Sequence, residues 1–126
     1  MGVSMRLAIP TEGQAGPGAR RSGHFGHCDC FTVVDIEDGA PKAWGVVENP
    51  PHEEGGCLRP VRLLAAAGVD AIVAAGMGMR PLSAFNQAGI TVYFENRTPL
   101  VGDVAALVAA GAVPTMSAEE ACNHHR

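Results

Sequence analysis

Between Gly23 and Phe31 the chain reads GHFGHCDCF, offering His24, His27, Cys28 and Cys30 as metal ligands at the entrance to the apolar run TVVDI. Thiolates favour zinc, copper(I) and iron–sulfur species, and imidazole suits zinc, iron and copper. Further along, His52 and Cys57 flank the loop HEEGGC, and Met77 and Met79 lie in AGMGMR. The ligand set expected from these donors is His24, His27, Cys28, His52 and Cys57, with the two methionines beside it. Residues two apart in extended chain share a face, so Cys28 and Cys30 are expected to point one way and Asp29 the other. Gly23 and Gly26 leave backbone amides open to an anion. The helix start after Gly78 or Gly56 adds amides, and Arg80 adds positive charge.

Each of these residues has a plainer reading. Cysteine is often a small buried hydrophobe, and Cys30 beside Phe31 fits that role best. Methionine plugs gaps between strand and helix, a role expected of Met79 more than of Met77. His52 could cap a helix or pair with Glu53. Cys122, His124 and His125 close the chain in a stretch without a rigid anchor, and Arg20, Arg21, Glu119 and Glu120 read as solvated surface.

Scattered donors need a scaffold to gather them. MRLAIP, from Met5 to Pro10, reads as a buried strand ended by its proline, and Thr11 to Gly23 as a glycine-rich loop. FTVVDIE (31–37) and PKAWGVV (41–47) are strands joined by an Asp38-Gly39 hairpin turn. Helices are expected over 57–67, 80–88 and 100–110, each stopped by a glycine, with apolar strands over 69–74 and 90–94 between them. The order is an antiparallel meander feeding two right-handed crossover units, hence an α/β fold with a mainly parallel, mixed five-stranded sheet, strand 2 antiparallel, and three helices. Residues 1–112 form the domain, and 113–126 a polar tail. The carboxyl ends of the parallel strands and the start of strand 2 then share one edge, where the glycine-rich loop, NPPHEEGGC, AGMGMR and Glu95-Asn96-Arg97 meet.

The chain has 126 residues and a formal net charge of −4. It is long enough for a core without disulfide staples, so its four cysteines read as metal-binding, catalytic or core thiols. No clustered basic face suggests nucleic acid. No apolar run approaches the roughly 20 residues of a membrane span, and no signal-peptide core appears. A cytoplasmic protein with no nucleic-acid and no membrane partner is the expectation.

SGHFGHC before a strand, AGMGMRPLSAF as turn and helix, and AGITVYF together resemble the dinitrogenase iron-molybdenum cofactor biosynthesis family, small nitrogenase accessory proteins. The resemblance runs from about Met5 to Ala110, and its most specific pieces are His24-Phe25-Gly26 and Gly76-Met77-Gly78. It implies a three-layer ribonuclease H-like fold with sheet order 3-2-1-4-5. The function it implies is non-enzymatic binding and carriage of a metal–sulfur cluster, an iron–molybdenum cofactor precursor or a related iron–sulfur or heterometal species. The cluster contacts would be Gly23, Phe25, Gly26, Gly76, Met77, Gly78 and Arg80. Cluster donor and acceptor proteins are the implied partners, and a homodimer is one way to complete such a site. His27-Cys28-Asp29-Cys30 departs from the arginine and aromatic that follow His-Phe-Gly in many relatives. Two alternatives stand beside this reading. One is a simple zinc or copper protein for storage or sensing, although no paired C-x-x-C signature is present. The other is a Cys/His-dependent enzyme using Cys28 with His24 or His27, for which no orienting group or oxyanion loop can be read. A ribonuclease H-type nuclease needs strand acids to hold metal ions, and MRLAIP has none.

Overall fold

The computed structural model describes residues 4–24, 27–49 and 58–116. In chain order the elements are β1 (Ser4–Glu12), β2 (Arg20–Arg21), β3 (Cys30–Glu37), β4 (Ala40–Glu48), α1 (Leu58–Ala66), β5 (Ala71–Ala74), α2 (Met79–Gln87), β6 (Thr91–Phe94) and α3 (Val101–Ala109). β1, β3 and β4 pair antiparallel, and β5 and β6 extend the sheet parallel to β1. The spatial order is β4-β3-β1-β5-β6, and β2 makes a sixth strand paired to the end of β1.

Alternation across the pleat divides the apolar side chains between two faces. Leu7, Ile9, Val34, Ile36 and Val73 turn to Val101, Val104 and Val108 of α3. Ala8, Phe31, Val33, Ile72 and Val92 turn to Val61 and Leu64 of α1 and to Leu82 and Phe85 of α2. β5 is buried throughout, as a strand covered on both faces must be. The β3–β4 hairpin turns on Asp38 and Gly39, at φ 55° and 80°, the left-handed pair that follows strand twist. Gly68, Gly89 and Gly111 end the three helices at φ 74°, 81° and 75°. Among the described residues no helix is long and apolar enough to cross a membrane.

Three expectations are corrected. β1 does not end at Pro10 but runs on to Glu12. The Pro10 carbonyl accepts from the Ser22 amide at 2.8 Å, so the missing proline N–H faces the side beyond β5, one residue past the two-residue pairing with β2, where only a ladder-end bond is forgone. The stretch 11–23 is not a plain loop. Thr11 and Glu12 pair with Arg21 and Arg20, while the amides of Val101 and Gly102 donate to Ala19 and Pro17 at 2.9 and 2.8 Å. The hydroxyls of buried Thr11 and Thr32 meet at 2.8 Å, and Thr32 accepts from the Gly16 amide. Polar groups that looked like loop composition are thus the fastening of this segment. Lastly, residues 113–116 do not begin a tail: Phe94 donates to Pro114 at 2.9 Å, Met116 donates to Val92 at 2.7 Å, and Val113 and Met116 are buried. Their apolar side chains extend the core past β6. Residues 117–126 lie outside the described part.

The contact between the 16–19 segment and α3 is close enough to test. A Cβ on Gly102 would stand 2.9 Å from the Pro17 carbonyl oxygen and 3.1 Å from the Pro17 Cβ. Overlap with fixed backbone outweighs the gain in helix propensity of about 1 kcal/mol. Gly102→Ala is expected to cost about 1–3 kcal/mol, read as a lower urea midpoint at unchanged slope.

Candidate functional site

Strand registers place the ends of β1, β4, β5 and β6 and the start of β3 on one edge. Thr11 pairs with Cys30, Cys30 with Glu48, and Ala74 with Phe94. This is the edge at which open α/β sheets bind ligands.

β2 swings Arg21 across that edge. Its side chain is only 6% exposed, and Nη1 donates to Glu95 Oε1 at 2.5 Å. Nη1 also donates to the Thr98 carbonyl at 2.8 Å, and Nη2 to the Glu95 carbonyl at 2.7 Å. Arg21 Nε is buried without a hydrogen-bond partner among the described residues. Burial by itself would raise the Glu95 carboxyl, but hydrogen bonds from Thr98, and then from Arg21, outweigh it and hold the group below the usual carboxylate range. The Arg21–Glu95 pair therefore ties the last strand to the segment that carries the histidines.

Around this tie, Arg20, Arg21, Ser22 and Gly23 face Ala75 and the Asn96–Pro99 turn across a cleft of about 220 Å³. Arg20 and Arg97 are exposed, and none of the lining residues is acidic. The cleft is cationic in a chain of net negative charge. Ser22 Oγ accepts from the His24 amide at 3.1 Å, and the His24 carbonyl accepts from the His27 amide at 3.0 Å. Both histidines are exposed. Gly78 precedes α2 in extended conformation with no side chain to cap the helix, and Arg80 stands exposed in the first turn.

The thiols are elsewhere. Cys28 is 4% exposed and belongs to the apolar cluster under α1 and α2, together with Met77 at 2%. Asn49 Nδ2 donates to the Cys28 carbonyl at 2.8 Å and approaches Sγ at 3.7 Å. Burial pushes the Cys28 thiol up to about 11, so it is protonated at neutral pH. Cys30 does not share that environment. It is buried in β3, and its Sγ donates to the Gly13 carbonyl at 3.5 Å. The expected common face for the two cysteines is not formed, because Cys28 precedes β3 and is drawn into the opposite core. The two methionines exchange the roles expected of them: Met77 fills the core and Met79 is 38% exposed on α2.

Of the expected site residues, Gly23 lines the cleft and His24 lies next to it in the chain, while Gly76 is buried at the end of β5. Phe25, Gly26, His52 and Cys57 lie outside the described residues. Among the described residues no group of three or more His, Cys, Asp or Glu side chains stands together as a metal site. Arg21, read as solvated surface, is instead the buried anchor. The signal available for it was its place directly before SGH, matched by an acid just after the last strand.

A raised thiol binds its proton more tightly folded than unfolded, so its contribution to stability is complete below the ordinary thiol value and is lost as pH rises towards about 11. The same shift governs reactivity. Alkylation of Cys28 near pH 8, followed peptide by peptide, is expected to be about a hundredfold slower than that of an ordinary thiol.

The chain is 35% identical over 98 residues to an uncharacterized protein of Methanocaldococcus jannaschii, covering 76% of this chain and 79% of that one. The apo form of the orange protein of Desulfovibrio gigas superposes with a TM-score of 0.78 at 25% identity, over 90% of this chain and 93% of its own. A second M. jannaschii protein, named for dinitrogenase, gives a TM-score of 0.71 over 91% of this chain and 97% of its own, and at 20% identity that likeness is one of fold. The family model described as dinitrogenase iron-molybdenum cofactor matches residues 5–111, and the chain belongs to that family.

Proposed function

We propose that this protein binds and carries a metal–sulfur cluster at the loop edge of its sheet, as a non-enzymatic accessory on a ribonuclease H-like scaffold. The observation that carries the reading is the cationic cleft bounded by Arg20–Gly23, Ala75 and Asn96–Pro99. Thiomolybdate-containing and thiolate-capped iron–sulfur clusters are anions, and a site that takes them up and gives them away needs positive charge and open amides more than a closed cage of ligands. Arg21 Nε beside the cleft, which has no hydrogen-bond partner among the described residues, is a donor of the right kind. His24 and His27 are exposed next to it as nitrogen ligands, and Gly23, Gly76 and Gly78 leave backbone close to the edge.

Cys28 enters the ligand set only after losing its proton and its apolar cover, which makes uptake through sulfur favourable at higher pH. His52 and Cys57 complete the proposed set, with Phe25, Gly26, Met77 and Arg80 around it. The cargo proposed is an iron–molybdenum cofactor precursor or a related iron–sulfur or heterometal cluster. It would be received from one cytoplasmic protein and passed to another in nitrogenase cofactor assembly.

Anaerobic incubation with iron, sulfide and tetrathiomolybdate, followed by gel filtration, tests this. Coloured protein holding metal and acid-labile sulfide is expected, and a His24→Ala/Cys28→Ala/Cys57→Ala variant of unchanged circular dichroism should lose the cargo. Colourless wild-type protein after every cluster offered, or full retention by the variant, would overturn the assignment.

A further inference from the structure

The sheet ends at β4, whose outer edge no described element covers. Trp44 and Val46 are 52% and 49% exposed there, although a free strand edge is normally guarded by charge, proline or a bulge. β4 has such guards only at its start. Pro41 and the bulged Lys42 lie where the register with β3 shifts between Asp35 and Ile36, leaving the stretch 43–48 regular and open.

Together with Lys42 that stretch, KAWGVVE, is complementary to itself. In an antiparallel pairing of two copies centred on Gly45, Lys42 stands opposite the partner's Glu48, Trp44 opposite the partner's Val46, and Ala43 opposite the partner's Val47. Directly opposed side chains share a face, so each indole packs on an exposed valine, while the long stem of Lys42, at the bulge, carries each ammonium to the partner's Glu48 carboxylate. Among the described residues neither Lys42 nor Glu48 has an ion-pair partner in its own chain. The Trp44 ring is also supported from behind, with its Cζ2 and Cη2 atoms packed over Gly16.

We infer that β4 is a homodimer interface, in which two copies join edge to edge through residues 42–48 into one continuous sheet. The inference does not depend on the cluster reading. Its two-fold axis reverses strand direction, so the two loop edges point away from each other and each copy keeps its own site.

Sedimentation equilibrium over roughly a hundredfold range of concentration should show a reversible dimer. Lys42→Glu and Glu48→Lys each place like charges opposite one another twice per dimer and should weaken it by about tenfold or more. An equimolar mixture of the two variants should restore association as a heterodimer, seen by native mass spectrometry, because every opposed pair is then of opposite sign. The double variant should dimerise like the wild type. Wild-type protein that stays monomeric throughout, a dimer that neither variant weakens, or variants that fail to rescue each other would overturn the interface. None of these outcomes bears on cluster retention.

Discussion

Arg21→Met is expected to lower the stability of the fold by about 3–5 kcal/mol, the cost of breaking a buried ion pair from one side. Methionine keeps much of the stem volume but removes every donor. The Glu95 carboxylate, in a side chain 15% exposed, would lose its cation, and the carbonyls of Glu95 and Thr98 would lose their bonds. Arg21→Lys should fall between, since one ammonium cannot span the carboxylate and both carbonyls as the planar guanidinium does. Adding Glu95→Gln to Arg21→Met should recover part of the loss by removing the stranded charge. The sign of the pH dependence follows from the lowered Glu95 value: the pair stabilises the fold above the ordinary carboxylate range and is lost as pH falls through the lowered folded value. In Arg21→Met the carboxylate keeps its hydrogen bonds from Arg97 and Thr98 but loses the cation, so the acid limb of a stability–pH curve should flatten. Urea unfolding across the acid range reads both effects, and a loss below about 1 kcal/mol would show that solvent already screens the pair.

That anchor also marks where the sequence was legible and where it was not. Strands and helices were readable because each apolar period is local: AIVA is buried whichever neighbours it finds, and Asp38-Gly39 makes its hairpin from two residues. Glycine stops after all three helices are equally local. What failed depends on contacts between distant segments. Pro10 reads as a strand end unless one knows that it faces the gap between β5 and the short β2 pairing, where the missing N–H costs only a ladder-end bond. TEGQAGPGARRSG reads as a loop unless Thr32 and the start of α3 are known to fasten it. Arg21 is ambiguous until Glu95 arrives from the other end of the sheet.

The candidate site divides along the same line. The meeting of the first loop, the turn after β5 and the turn after β6 at one edge followed from topology, and Gly23, Ala75 and Asn96 do line one cleft. Side-chain direction was not accessible in the same way. Cys28 and Cys30 straddle the place where the chain enters the sheet, and the alternation rule applies only from Cys30 onward. Met77 and Met79 stand on either side of the helix start, where strand periodicity gives way to helical periodicity, and the core takes the one nearer the strand. Charge divides in the same way: a balance of −4 describes the chain, whereas the local field at the cleft comes from Arg20 and Arg97, Arg21 being paired with Glu95.

Reversing two of those charges should weaken retention of an anionic cluster by about a hundredfold, or roughly 2–3 kcal/mol. Arg20→Glu/Arg97→Glu is the informative variant because both side chains face solvent, so the fold should change by no more than about 0.5 kcal/mol. Arg21 is left in place, which separates the field in the cleft from the anchor beneath it. Arg20→Gln/Arg97→Gln should give about half the loss in free energy, as expected if charge rather than a specific hydrogen bond carries the effect. Added salt should weaken wild-type binding, leave the glutamine variant little changed and strengthen what binding remains in the reversed variant, since screening acts on attraction and repulsion alike. Retention of tetrathiomolybdate–iron species through gel filtration, scored by metal content at two ionic strengths, measures all three. Equal retention by wild type and reversed variant would move the cargo away from this cleft. Loss in the His24→Ala/Cys28→Ala/Cys57→Ala variant alone would then assign binding to ligation without the arginine field, so the two sets of substitutions distinguish attraction by charge from capture by ligands.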